Sequence, residues 1–458
     1  MIRARLGRCH AAVLVAVVVI AAAATLRPAT AAVPPEGCIL VFPQGPTAGV
    51  GNAAVGTACS YNATQVASFV GTGPFHIRDT YRDSRGVTEV RFDVTASAGQ
   101  VVEPLSGLPF EPHQVGVGDH VDAAVTGPGG FLAVGNPGAP PSSGPHTPPP
   151  APKLQGDVTP VHDPAITFSG GWYYLFTTGP GIPMRRSRDL VHWEADGTVF
   201  DGAMPSWAPR VIPGAQDVWA PDASFFDGTW HLYYAISTFG SSRSAIGLAT
   251  NLTLDRRNPA YAWHDHGPII QSCAVIDPSP SCPPTAYNAI DPNVVIGPDG
   301  TPHLEFGSFT GGLMVATLDA ATGRPVQPFA PVPLAANVQE YTAVEGGYMI
   351  YRDGWYYLFG SYDYCCQGTN STYDVRVGRS RSVDGPFVDD LGIPMLAGGG
   401  RYVLTANGDM RGPGGEGVVH VGRTDEIFFH YYDASDGGTP TLGILPLRWT
   451  SDGWPQAR

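Results

Sequence analysis

The stretch that decides the fold is DPAITFSGGWYYLF (163–176), because it returns four more times in altered form. The later copies read DASFFDGTWHLYY (222–234), DPNVVIGPDGTPHLEFGS (291–308), EGGYMIYRDGWYYLFGSY (345–362) and EGVVHVGRTDEIFFHYY (416–432). Each opens on an acidic residue, continues through a hydrophobic stretch and a polar turn, and ends in an aromatic-rich strand. Self-similarity of this kind marks a repeat architecture. The acids stand 59, 69, 54 and 71 residues apart, which leaves room in each unit for about four strands of ordinary length with their turns. Asp227-Gly228, Asp299-Gly300 and Asp353-Gly354 are hairpin signals inside the units. Repeated four-stranded units predict a β-propeller, and five of them predict five blades. The first strand of each blade then lies beside the central axis. Asp163, Asp222, Asp291, Glu345 and Glu416 are expected to face one end of that hub.

Composition agrees with an all-β chain. Of 458 residues 58 are Gly and 45 Pro, and only 14% are charged, a balance that breaks helices and suits turns. A net charge of −14 argues against nucleic acid, acidic membranes and polyanionic substrates, all of which would be repelled.

Outside the repeats, the first 31 residues read as a secretory signal. Arg3, Arg5 and Arg8 precede an apolar run from Ala11 to Ala24, and Ala29-Thr30-Ala31 offers small residues for cleavage. The apolar run is too short for a comfortable membrane span, so the chain is expected to be exported. Cleavage removes Cys9 and leaves Cys38, Cys59, Cys273, Cys282, Cys365 and Cys366, an even set that fits disulfides outside the cell. Neighbours in sequence suggest Cys38–Cys59, Cys273–Cys282 and a vicinal Cys365–Cys366, the last stiffening a loop beside the groove. Residues 137–152, PGAPPSSGPHTPPPAP, form a stiff extended spacer. It separates a small β-domain, sandwich-like, at 32–136 from the propeller at 153–458. All nine tryptophans follow the spacer. The N-terminal domain therefore lacks the best platform for stacking a sugar ring, and a structural role is as good a reading as a sugar-binding one.

One Asp-Pro is commonly a turn initiator. Several carboxylates on one cavity repel each other, however, at a cost in stability unless a function or a cation compensates. An exported acidic chain with clustered Asp/Glu and many aromatics suits glycoside hydrolysis. That reaction takes one protonated carboxyl to protonate the leaving oxygen and one ionised carboxylate on the other face of the sugar. Mutual repulsion raises the pKa of one member of such a set, so both forms can coexist near neutrality.

Longer stretches also carry a resemblance: VHDPAI (161–166), YYLFTTGPGI (173–182), SRDLVHW (187–193), VWAPDASF (218–225), YYAISTFGSSRSAIGLATN (233–251), YNAIDPNVV (287–295), YYLFGSYDYCCQGTNSTYDVRVGRSRSVDGPF (356–387) and WTSDGWP (449–455). In these the region from about Val161 to Pro455 resembles the endo-acting α-1,5-L-arabinanases. They belong to the five-bladed glycoside hydrolase family that also holds β-xylosidases and arabinofuranosidases. The resemblance implies an inverting enzyme on arabinan, a neutral plant cell-wall polysaccharide. It matches Asp163 to the general base, Glu345 to the general acid, and Asp291 to the residue that orients the acid and keeps its pKa high. Asp222 matches a residue that shapes the site, and Phe239 and Asn288 match groove residues near the substrate.

The chain departs from the pattern twice. Gly346-Gly347 follows the acid where many relatives have Ala-Pro, and Gly412-Pro413-Gly414-Gly415-Glu416 lacks the histidine of a GPGHN stretch that lies near a bound cation. Glu416 is then either a hard oxygen donor to a structural Ca²⁺ near the axis or an ordinary turn residue. No cofactor is required for the chemistry. Exo action on arabinofuranosyl or xylosyl ends, and a catalytically silent carbohydrate-binding propeller, are the alternatives. A monomer acting on its polysaccharide, without membrane or nucleic-acid partners, is the expected state.

Overall fold

A computed structural model describes residues 148–458 apart from 274–284, 286 and 338–342, together with six strands before residue 148. Those six strands make two three-stranded antiparallel sheets. Gly130–Gly135 lies between Cys38–Phe42 and Val66–Gly71, and Phe75–Arg82 lies between Thr88–Ala96 and His120–Thr126. The export signal at 1–31, most of the 137–152 spacer, Cys59 and Cys282 lie outside the described residues.

From Gln155 onward the chain forms five sheets in sequence order, and together they are a five-bladed β-propeller. The inner strands are Ala165–Ser169, Trp219–Phe226, Asn293–Ile296, Val344–Arg352 and Met410–Val421. Each lies against the next, and the fifth lies against the first, so the ring closes around a hub. The chain clasps itself where the ring joins. Val161 N–H donates to Pro440 O at 2.8 Å, and Leu442 N–H donates to Val158 O at 3.0 Å, tying the segment before blade one to the third strand of blade five.

The aromatic strands next to the inner ones explain why the repeats read as near-continuous apolar runs. A blade is covered on both faces by its neighbours, so both sets of alternating side chains are buried. In Trp172–Phe176, Tyr173 and Leu175 pack toward blade five, whereas Tyr174 and Phe176 pack toward blade two. In Trp355–Tyr362, Tyr356 and Leu358 meet blade three, and Tyr357 and Phe359 meet blade five. The core is thus divided among the interfaces between blades. At about 1.5–3 kcal/mol for each fully buried large side chain, these interfaces hold the ring without a central core.

The hairpin signals act as expected at two of three places. Asp227-Gly228 joins Phe226 to Thr229, and Asp353-Gly354 joins Arg352 to Trp355, with positive φ at both turn residues (47° and 73°; 49° and 79°). This is the backbone that matches strand twist in two-residue turns. Asp299-Gly300 instead lies in a longer loop closed by Gly297 N–H on Thr301 O at 2.8 Å.

Candidate active site

The five repeat acids do not form one even ring, because the inner strands carry irregularities where they enter the hub. Asp163 and Asp291 stand just before their strands with φ of 47° and 56°. In the other three blades the left-handed residue is Ala220 (38°), Gly346 (59°) or Gly415 (57°). Each of those lies at a register shift that inserts a residue into the inner strand, the bulge that re-aims the side chains around it. Relative to the left-handed residue, Glu345 comes one position earlier, Glu416 one later and Asp222 two later. Asp163, Asp291 and Glu345 come close enough for their charges to act on one another. Asp222 and Glu416 lie further along their strands and are nearly enclosed, at 6% and 3% exposure.

Asp163 is held from several sides. Thr178 Oγ1–H donates to its Oδ2 at 2.6 Å, His162 Nδ1 lies 2.9 Å from Oδ1, and its own N–H donates to His430 Nδ1 at 3.2 Å. His162 stacks on His430 with ring centroids 3.8 Å apart, and its Nε2 meets the Tyr432 hydroxyl at 2.9 Å. Burial would raise the Asp163 pKa. His162, His430 and Thr178 reverse this and hold the carboxyl well below the usual range, so Asp163 is ionised at neutral pH. Burial together with His162 holds His430 well below the ordinary imidazole value, in keeping with its Nδ1 accepting a hydrogen bond from the Asp163 N–H. His162 is raised, because the Asp163 carboxylate outweighs burial.

Glu345 has the opposite environment. Its Oε2 accepts from Ser308 Oγ–H at 2.7 Å and its Oε1 from the Tyr373 hydroxyl. Burial dominates and raises its pKa, with Asp163 adding to the rise against those two hydrogen bonds. Asp291 is shifted in the same direction as Glu345. Its Oδ2 accepts the N–H of Gly346 at 3.0 Å, while burial, Glu345 and Asp163 push it well above its ordinary value. A carboxyl held ionised beside one whose protonated form is favoured is the arrangement that lets base and acid work share one pH range.

The remaining candidates are placed as follows. Asp222 accepts from Val294 N–H at 3.0 Å, Ser224 Oγ–H at 3.1 Å and Asn293 Nδ2–H at 3.3 Å, and Asn293 Oδ1 accepts from Met349 N–H at 2.8 Å. Asp222 therefore braces the inner strands of blades two, three and four, and burial raises it to about 6. Asn288 is buried, and its carbonyl accepts from Ser244 Oγ–H at 2.7 Å. Phe239 is 80% exposed in the loop after the second strand of blade two. Because strands alternate in direction, that loop lies on the face where the inner strands begin, as do Phe309 and Tyr364 of blades three and four, 5.9 Å apart. Thr178, His162, Ser308, Tyr373, His430 and Tyr432 are absent from the sequence-derived site. His162 beside Asp163, and the HYY run that ends the fifth repeat, were the available signals.

Glu416 was the candidate calcium ligand. Its Oε2 accepts from Ser361 Oγ–H at 2.7 Å, its Oε1 is buried with no partner, and burial raises it to about 8. Among the described residues, it belongs to no group of three or more His, Cys, Asp or Glu whose ligand atoms lie within 4.8 Å of one another. Calcium takes six to eight oxygens, so the protein side chains do not build it a cage there. His430 occupies the adjoining space, its Nδ1 2.8 Å from where a Cβ on Gly415 would lie. The raised Glu416 has a consequence for stability. A carboxyl whose folded pKa exceeds its unfolded one contributes stability at low pH that is lost as pH rises through the folded value. Denaturant unfolding is expected to show stability falling between about pH 4.5 and about 8, and Glu416→Gln is expected to flatten that fall.

Comparison with known proteins places the chain among the relatives of arabinan-active propellers. The chain is 37% identical over 306 residues to the extracellular exo-α-(1→5)-L-arabinofuranosidase ArbA of Cellvibrio japonicus, covering 65% of this chain and 86% of that protein. It is 36% identical over 299 residues to the extracellular endo-α-(1→5)-L-arabinanase 1 of Bacillus subtilis, covering 64% and 87%. Its fold is similar to the solved Cellvibrio cellulosa α-L-arabinanase complexed with arabinohexaose, at a TM-score of 0.61 and 35% identity over 66% of this chain and 96% of that one. The model of glycosyl hydrolases family 43 matches residues 155–455. With the propeller and the family match over most of the chain, this protein is a glycoside hydrolase belonging to glycosyl hydrolases family 43.

Proposed function

We propose that the chain is a secreted endo-acting hydrolase that cuts internal α-1,5-L-arabinofuranosyl linkages in arabinan with inversion. The observation that carries the reading is the opposed environment of two neighbouring acids. Asp163 is kept ionised by His162 and Thr178, whereas burial raises the Glu345 pKa and so favours its protonated form. Asp163 takes a proton from water as that water attacks the anomeric carbon, and Glu345 gives its proton to the departing sugar oxygen. Asp291, which accepts the N–H that follows Glu345, is assigned to orient the acid. Phe239 and Asn288 are assigned to the groove, Phe239 as an apolar face for a furanose and Asn288 as a fixed amide. Asp222 shapes the floor through its hydrogen bonds across the hub.

The names of the relatives support arabinan as the polymer, and two of them being called extracellular agrees with the N-terminal export signal. Arabinan is neutral, so an acidic enzyme meets no repulsion. We assign the enzyme as a monomer needing no cofactor for its chemistry.

Exo action is the second reading, favoured by the exo-acting name of the Cellvibrio japonicus relative. The size of the first products from linear debranched arabinan separates the two. A ladder of oligomers at the earliest times is expected. Arabinose alone from the start would replace the endo assignment with the exo one. Proton NMR of the nascent reducing end is expected to show the anomer opposite to that of the substrate.

A further inference from the structure

The loop after the second strand of blade four carries a feature that sugar hydrolysis does not use. Cys365 and Cys366 are disulfide-bonded to each other, and Cys366 Sγ lies 3.8 Å from His162 Nε2. The ligand atoms of His162, Cys365 and Cys366 all lie within 4.8 Å of one another. The Tyr432 hydroxyl touches the same group. It lies 2.9 Å from His162 Nε2, accepts the Cys366 N–H at 2.8 Å and is 3.8 Å from Cys366 Sγ. A bond between adjacent cysteines closes almost no loop, so the entropic benefit that accounts for most disulfides is nearly absent. Cys366 is exposed, open to small reagents. Two thiolates and a neutral imidazole form a soft donor set of the kind zinc takes with a fourth position left to water.

We propose that Cys365, Cys366 and His162 are a latent site for a thiophilic cation of the zinc class, closed while the disulfide is intact and opened by a reductant. A dithiol reductant supplies two electrons and two protons, becoming a disulfide while Cys365 and Cys366 become thiols. The divalent cation then binds both sulfurs and His162 Nε2, releasing the two thiol protons. Coordination replaces the Tyr432 hydrogen bond at Nε2. It ties the ring that orients Asp163 to the loop and stands a metal beside that ring. The loaded enzyme is therefore inhibited, and the oxidised enzyme is indifferent to the metal.

The test uses the full chain, treated with a water-soluble phosphine that is then removed without air. The phosphine takes up oxygen from water as the disulfide becomes two thiols. Titration with Co²⁺ is expected to raise a thiolate-to-cobalt charge-transfer absorption, reaching about one more ion per chain than in Cys365→Ser or Cys366→Ser. No such band is expected before reduction. Zn²⁺ is expected to displace the cobalt and lower turnover at least ~10-fold, with recovery on chelation. In the reduced wild-type chain, Zn²⁺ is also expected to protect Cys365 and Cys366 from iodoacetamide, read by peptide mass without any variant. A cobalt band equally strong in the serine variants, or alkylation of this pair at the same rate with and without Zn²⁺, would overturn the proposal. Both readouts are independent of which glycan is cleaved.

Discussion

Glu345→Gln is expected to lower kcat on linear arabinan by about 10²–10⁴-fold, the usual worth of a general acid, while thermal unfolding changes little. The amide keeps the shape, and its carbonyl oxygen can still accept from one of Ser308 and Tyr373, but it cannot act as a general acid. The loss should depend on the leaving group. An aryl arabinofuranoside whose phenolate departs without protonation needs the acid less, so the same variant should lose far less on it. An equal loss on both substrates would show that Glu345 does something other than protonate the leaving oxygen. The pH profile gives a second reading. Glu345 is raised above the ordinary glutamate value, so wild-type kcat/KM should fall on the alkaline side as it ionises. That limb should vanish in the variant.

Asp163→Asn is expected to cost a comparable ~10²–10⁴-fold, this time with little dependence on the leaving group, since water must be activated for every substrate. The sign of its pH effect is opposite. Asp163 must be ionised to work, and its pKa is held far down by His162, His430 and Thr178. Wild-type activity should therefore persist into acid well below the ordinary aspartate range. Removing the Thr178 hydroxyl should move that acid limb upward, because the carboxylate loses its 2.6 Å donor. A Thr178→Val variant with an unmoved limb would remove Thr178 from the control of Asp163. Its stability contribution follows the same sign, present above the unfolded pKa and lost as pH falls toward the folded one.

The number of blades and the all-β class were legible in the chain itself. A blade buried on both faces needs strands apolar at every position, and the runs WYYLF, WHLYY and IFFHYY are that requirement written in residues. The two-residue turns at Asp227-Gly228 and Asp353-Gly354 were equally readable, since positive φ at both turn positions favours Asp-Gly. What each acid does was not readable. The repeats align five carboxylates, but one inserted residue at Gly346, or two positions beyond Ala220, separates an acid whose charge acts on Asp291 from one bonded inside the hub wall. The groups that set Asp163 and Glu345 apart, Thr178 and the pair His162–His430 on one side and Ser308 and Tyr373 on the other, come from different blades. Their spacing along the chain carries no period. Hydrophobic pattern is a local property and survives in sequence, whereas ionisation depends on distances of a few ångström between residues up to 270 positions apart, and only the closed ring brings those together.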